Sequence, residues 1–141
     1  MEDSKMTKTQ VYKTLRRVTE LDTALRIIDM QIERMESCLQ GHAIRYDADK
    51  VQTSPEDRVA EVVANMDDLL KRRDRLRLEM SRAVTSCADL IATVKNDRQQ
   101  LVLHYRYTSG YRWHEIARAL GCSERHVYRL HDSAIDYLAK N

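Results

Sequence analysis

The chain of 141 residues has three glycines, one proline and no phenylalanine. Glycine and proline punctuate helices, so their scarcity predicts long uninterrupted ones. Cys38, Cys87 and Cys122 are odd in number and far apart. They make no disulfide framework and point to free thiols in a reducing cytoplasm. No apolar run approaches the roughly 20 residues that a membrane span needs. The opening MEDSKMTKTQ is polar and has no secretory apolar region. The expectation is a cytoplasmic protein with no membrane attachment. Charge of one sign is also missing, with 24 Lys+Arg against 22 Asp+Glu and a net charge of +2. The small excess sits at one end. Residues 1–95 carry 17 basic and 17 acidic side chains, and residues 96–141 carry 7 and 5 together with four of the five histidines.

The chain does contain enough apolar residues, 43%, for a packed core, more than a disordered segment carries. From about Lys8 to Gln40 they follow a heptad. Val11, Val18, Leu25, Ile32 and Leu39 hold one seam position, and Thr14, Leu21, Ile28 and Met35 hold the other. Gly41 stands where a C-terminal glycine belongs. A second helix is signalled by TSPED. Ser54 is the cap, Pro55 the first helical residue, and Glu56 and Asp57 are acids in the first turn. Its seam reads Val59, Met66, Arg73, Met80, Cys87 and Val94, with Val62, Leu69, Leu76, Ala83 and Leu90 at the other position. Arg73 interrupts it.

At about 1.5 Å per residue each helix would be roughly 50 Å long. The stretch between them, residues 41–54, is long for a helix–helix connection. The pattern predicts an all-α chain, with a long antiparallel helical hairpin over residues 1–95. Leu15, Ile27, Val63, Leu70 and Val84 widen the stripe beyond a two-helix seam. They predict a third surface, either the C-terminal domain or a second copy, hence a homodimer through the long helices. The methionines are core fillers rather than a cofactor box. The alternating charges of KRRDRLRLEMSR suit a solvated helix face, with a phosphate-binding ridge as the sharper alternative.

After Val94 the heptads stop, and residues 96–141 form a second domain. NDRQQLVLHYRY is a short helix capped by Asn96 or Asp97, with Leu101, Val102 and Tyr105 facing inward. YRWHEIARAL follows, then the turn GCS, then ERHVYRLHDSAIDYLAK. The spacing is that of a helix-turn-helix. Ala117 is small where two helices cross, Gly121 supplies the turn at positive φ, and Val127 anchors the second helix. Trp113, Ile116, Leu120 and Leu130 complete the core. Ser123 caps the second helix, which would present its first turns to the major groove of double-stranded DNA. Glu124, Arg125, Tyr128 and Arg129 point away from the Val127/Leu130 face and are the candidates for base contact. Arginine suits bidentate readout of guanine, and a glutamate accepts from cytosine. Tyr111, Arg112 and Arg118 on the preceding helix, with Ser123 and His126, are the candidates for the phosphate backbone.

The tail WHEIARALGCSERHVYRLHDSAIDYL resembles region 4 of sigma-70-type factors. The wider chain resembles phage-encoded late transcription activators of the RinA/ArpU-like group. The resemblance rests on Val51 to Ser54 as a V-x-x-S segment and on a tail pattern. That pattern is met by Arg106, Tyr107, Gly110, Trp113, Ile116, Ala117, Gly121, Ser123, Val127, Leu130, His131, Ala134 and Leu138. The match is dense from about residue 98 to 138 and thin before. It implies a phage or prophage regulator working in the bacterial cytoplasm at the nucleoid, with RNA polymerase as a candidate partner. Glu124 and Asp132 depart from the pattern by softening the basic face.

Other chemistry is excluded by spacing. Cys122 and His126 are one turn apart and His114 is near, but no second ligand pair completes a zinc site. His114 beside Glu115 and His131 beside Asp132 project about 100° apart on a helix, so neither is a natural acid–base dyad. No phosphate loop or nucleophile elbow occurs. No enzyme, metal or cofactor is expected. Two further readings compete with a DNA-binding regulator. One is a small-terminase-like packaging protein, which should close into a ring. The other is a polymerase-binding adaptor that never touches DNA.

Overall fold

The computed structural model describes residues 5–40 and 54–140. Every regular element among them is helical. The order is α1 (Lys8–Leu39), α2 (Pro55–Ala92), α3 (Asp97–Leu103), a π turn (His104–Thr108), α4 (Trp113–Leu120) and α5 (Glu124–Lys140). The predicted Gly41 terminator, Val51 and nearly all of the 41–54 connection lie outside the described residues.

Local side chains set each start. At α1 the amide of Gln10 donates to the Thr7 hydroxyl at 3.2 Å, and the Thr7 amide donates to Gln10 Oε1 at 2.8 Å. This reciprocal cap satisfies two otherwise orphaned donors. Ser54 caps α2 by accepting from the Asp57 amide at 3.2 Å, and Asn96 caps α3 by accepting from Gln99 at 3.1 Å. No described helix is long and apolar enough to cross a membrane.

The chain divides into two units, and both long helices contribute to each. The first comprises described residues 5–21 and 80–140, the second 22–40 and 54–79. In the first, Val11, Leu15, Val18 and Leu21 of α1 are buried, as are Ala83, Cys87 and Ile91 of α2. Burial pushes the Cys87 thiol above its ordinary value, which keeps it an inert core group. Lys8 Nζ meets Asp136 at 2.8 Å. The contact raises the lysine pKa and lowers that of the aspartate, mainly through the shared hydrogen bond.

In the second unit α1 and α2 run antiparallel. Asp29 lies 3.5 Å from Arg73, and Arg34 and Met35 share a groove with Leu69 and Arg72. Arg73 is the seam arginine. Its Nε is buried without a hydrogen-bond partner, while its terminal nitrogen reaches Asp29 at the edge.

The extra apolar positions part company. Leu15 is fully buried, whereas Ile27, Val63 and Val84 are exposed. Leu39 and Val59, predicted in the seam, are also exposed, so the second unit buries less of the heptad than the pattern predicts. Two helices cover only one narrow stripe of each other.

Candidate nucleic-acid interface

The C-terminal helices are built around Val102, Ile116, Ala117 and Val127, all buried. Tyr105, Trp113, Leu120, Cys122 and Leu130 pack against them. One expectation fails here. Leu101 is 43% exposed, and Leu103 is buried in its place. The backbone widens into a π turn, closed by Ser109 N–H donating to His104 O at 3.0 Å. Within that π turn Tyr107, four residues after Leu103, is buried.

The predicted turn forms at Gly121, with φ +64°. An added Cβ there would meet nothing within 4 Å. Glycine is therefore used for its left-handed conformation and not for space. Gly121 N–H donates to Arg118 O at 3.3 Å, and Cys122 N–H to Ala117 O at 3.1 Å. That bond pair is the Schellman closure of a helix, with Cys122 supplying the apolar contact that accompanies it. Arg98, which sequence reasoning passed over, reaches from α3 to donate to the free Leu120 carbonyl at 3.1 Å. A cation at a helix C-terminus is favourable there.

Ser123 caps α5, its hydroxyl accepting from the His126 amide at 3.1 Å. Behind this cap Val127 is buried and Leu130 half-buried, while Glu124, Arg125, Tyr128 and Arg129 are exposed. Tyr111 and Arg112 sit elsewhere than predicted. They precede α4 rather than lying on it, with Arg112 at the cap position. Arginine carries no acceptor, so only the return arm of a capping box is made, from Arg112 N–H to the Glu115 carboxylate at 2.8 Å. That leaves the Arg112 guanidinium exposed and occupies Glu115, the nearest acid. Tyr111 stacks on Tyr105, ring centroids 5.1 Å apart. Arg112, Arg118, Arg125 and Arg129 make no ion pair among the described residues. His126 is half-buried.

Beside this face lies an aromatic cluster. His131 is 4% exposed, with the Tyr107 hydroxyl 2.6 Å from Nε2 and Asp132 3.2 Å from Nδ1. Asp132 only accepts, so the neutral ring carries its proton on Nδ1 and Tyr107 donates to Nε2. Burial holds His131 below its ordinary value, partly opposed by Asp132. It pushes the Tyr107 phenol up to about 12. Trp113 packs edge-on against His131 at 4.9 Å and tilted against Tyr128 at 4.9 Å. The Arg106 guanidinium lies over it, 4.4 Å from the ring centroid. Four residues of the tail pattern, Arg106, Tyr107, Trp113 and His131, are thus joined through neighbouring contacts. Sequence reading could not pair them, because Arg106 and Tyr107 lie within the π turn while Trp113 and His131 belong to two different helices. Among the described residues no three His, Cys, Asp or Glu side chains group to hold a metal.

Residues 94–134 match the family described as a homeodomain-like domain. This supports a DNA-binding helix-turn-helix in that part of the chain. No curated protein and no solved structure matches the chain.

Proposed function

We propose that the chain is a sequence-specific regulator of transcription that binds double-stranded DNA through α5. It is a binding protein and not an enzyme. The observation that carries this is the exposed face of α5. Glu124, Arg125 and Arg129 stand free on a helix whose opposite side is anchored by Val127, directly after a left-handed glycine turn. Unpaired guanidiniums on the first turns of such a helix suit guanine readout. Arg112 and Arg118 on the flanking element suit phosphate contacts. Tyr128 belongs to the same face, with its ring braced by Trp113.

The finer reading follows from the resemblance of the tail to phage late activators and to sigma region 4. In that reading the protein activates late genes of a phage or prophage together with host RNA polymerase. Exposed Ile27, Met30, Val59 and Val63 in the second unit support self-association through the long helices.

The test is selection of bound duplexes from a random pool, repeated with Arg125→Ala and Arg129→Ala. Arg129→Ala is expected to cost about 1–3 kcal/mol at one base position and to flatten preference there. Equal affinity for all duplexes before and after the change would refute specific readout. Absence of binding at low salt, where phosphate contacts are strongest, would favour the adaptor reading. A closed ring by native mass measurement would favour packaging.

A further inference from the structure

Inside the first unit, α1, the π turn, α4 and α5 line a half-open cavity of about 610 Å³. That volume lies within the range of about 300–1,000 Å³ typical of small-molecule sites. Its walls are of three kinds. Tyr12, Trp113 and Tyr128 are aromatic, Arg16 and Arg106 are cationic, and Glu20 and Asp132 are anionic. Opposite charges sharing one cavity normally pair, and here they do not. Each arginine instead lies over a ring, Arg16 at 4.9 Å from the Tyr12 centroid and Arg106 at 4.4 Å from that of Trp113. Asp132 is engaged by His131 at 3.2 Å, and Glu20 by Arg17 at 3.9 Å.

A guanidinium held against a ring is oriented before a ligand arrives, so it loses little side-chain freedom on binding. Arg106 is further fixed by donating to Tyr111 O at 3.1 Å. The cavity therefore offers oriented donors, separate carboxylate acceptors and aromatic surface together. A simple anion would leave the rings and carboxylates unused, and an apolar ring would leave all four charges unused. A flat ring that bears N–H donors on its edge and a phosphate at its end would use every wall.

We propose that this cavity binds a guanine mononucleotide. The base lies along the Tyr128 and Trp113 wall with its N–H edge toward the carboxylates, and the phosphate meets Arg16 and Arg106. A carboxylate matches the adjacent N1–H and N2–H donors of guanine as a bidentate acceptor. The site shares Tyr128 with the proposed DNA-reading face, but mononucleotide binding requires no duplex and is tested apart from that reading.

Trp113 is the one tryptophan of the chain and lines the cavity, so its emission reports occupancy. The full-length protein, without DNA, is titrated with GMP, guanosine, ribose 5-phosphate and inorganic phosphate. GMP is expected to give a saturable change, with each of the other three at least about tenfold weaker, equivalent to about 1.4 kcal/mol. Arg16→Leu, an exposed position on α1, is expected to weaken GMP by about tenfold or more while the thermal melt is unchanged. No saturable change with GMP overturns the proposal. So does equal binding of guanosine or phosphate, which would mean that only one half of the ligand is recognised. Undiminished GMP binding by a folded Arg16→Leu protein overturns the assigned site.

Discussion

The same heptad pattern runs through both units and has different outcomes. Where α1 and α2 belong to the first unit, Val11, Leu15, Ala83, Cys87 and Ile91 are buried. Where they belong to the second, only Ile28 and Ile32 of the described residues are. No residue of α2 before Ala83 is buried. The first unit adds three further helices and a π turn, and there Leu15, outside the two-helix seam, is covered, though Val84 is exposed. The second has two helices, and Ile27, Met30, Val59, Val63 and Leu78 stay exposed. Heptad spacing specifies which residues face a neighbour but not how many neighbours exist.

The difference can be broken most severely by excision. The homeodomain-like match spans residues 94–134, but the unit that contains it also includes residues 5–21 and 80–93. A fragment of residues 94–140 loses Val11, Leu15, Cys87 and Ile91 from its core. It is expected to show no cooperative urea transition by circular dichroism. A transition matching that of the full chain would mean that the long helices contribute nothing to the helix-turn-helix.

Next in size is a pair of truncations. Ile116→Ala empties a site that is 0% exposed and is expected to cost about 2–5 kcal/mol in urea unfolding. Val63→Ala, at 51% exposure, should change the stability of an isolated chain by less than about 0.5 kcal/mol. If the second unit is a self-association surface, Val63→Ala should instead lower the dimer fraction in sedimentation. Equal costs at the two sites would erase the contrast.

The smallest expected effect is a pH dependence confined to the first unit. His131 has a folded pKa below its ordinary 6.5, chiefly because burial disfavours the charged ring. Asp132 opposes that shift, and Arg106 and Arg16 add to it. The unfolded chain therefore takes the proton first. The contribution is complete above about 6.5 and is lost as pH falls through the folded value. His131→Asn should flatten the urea midpoint in that window. The loss of the Asp136 contribution at lower pH, in the carboxylate range, should remain. An unchanged slope would place the titration elsewhere.

Much of the fold was legible because its signals are local. Ser54, Asn96 and Ser123 cap the helices predicted from them. Gly121 adopts the left-handed turn that the Ala117 and Val127 spacing requires. Failures came where the backbone leaves α-geometry. Tyr107 meets His131 from within the π turn, and no heptad or period of 3.6 anticipates an inserted residue. The reciprocal cap of Thr7 and Gln10 was readable, since its T-x-x-Q spacing is a recognised signature. For the candidate interface, exposure of Glu124, Arg125, Tyr128 and Arg129 followed from their helical phase. The occupation of Glu115 by the Arg112 amide did not, because it depends on where α4 begins. The Arg98 contact with Leu120 joins residues on different helices, a distance that no single-helix pattern encodes.

The first unit is closed by its two ends, since Lys8 pairs with Asp136 and Tyr12 sits 6.2 Å from His131. During synthesis these partners are made far apart in time. At roughly 5–20 residues per second, about 6–25 s separate Lys8 from Asp136. For that interval Lys8 and Tyr12 lack the partners that α5 supplies. The order of synthesis therefore leaves the start of α1 waiting for α5, the helix whose exposed face carries Glu124, Arg125 and Arg129.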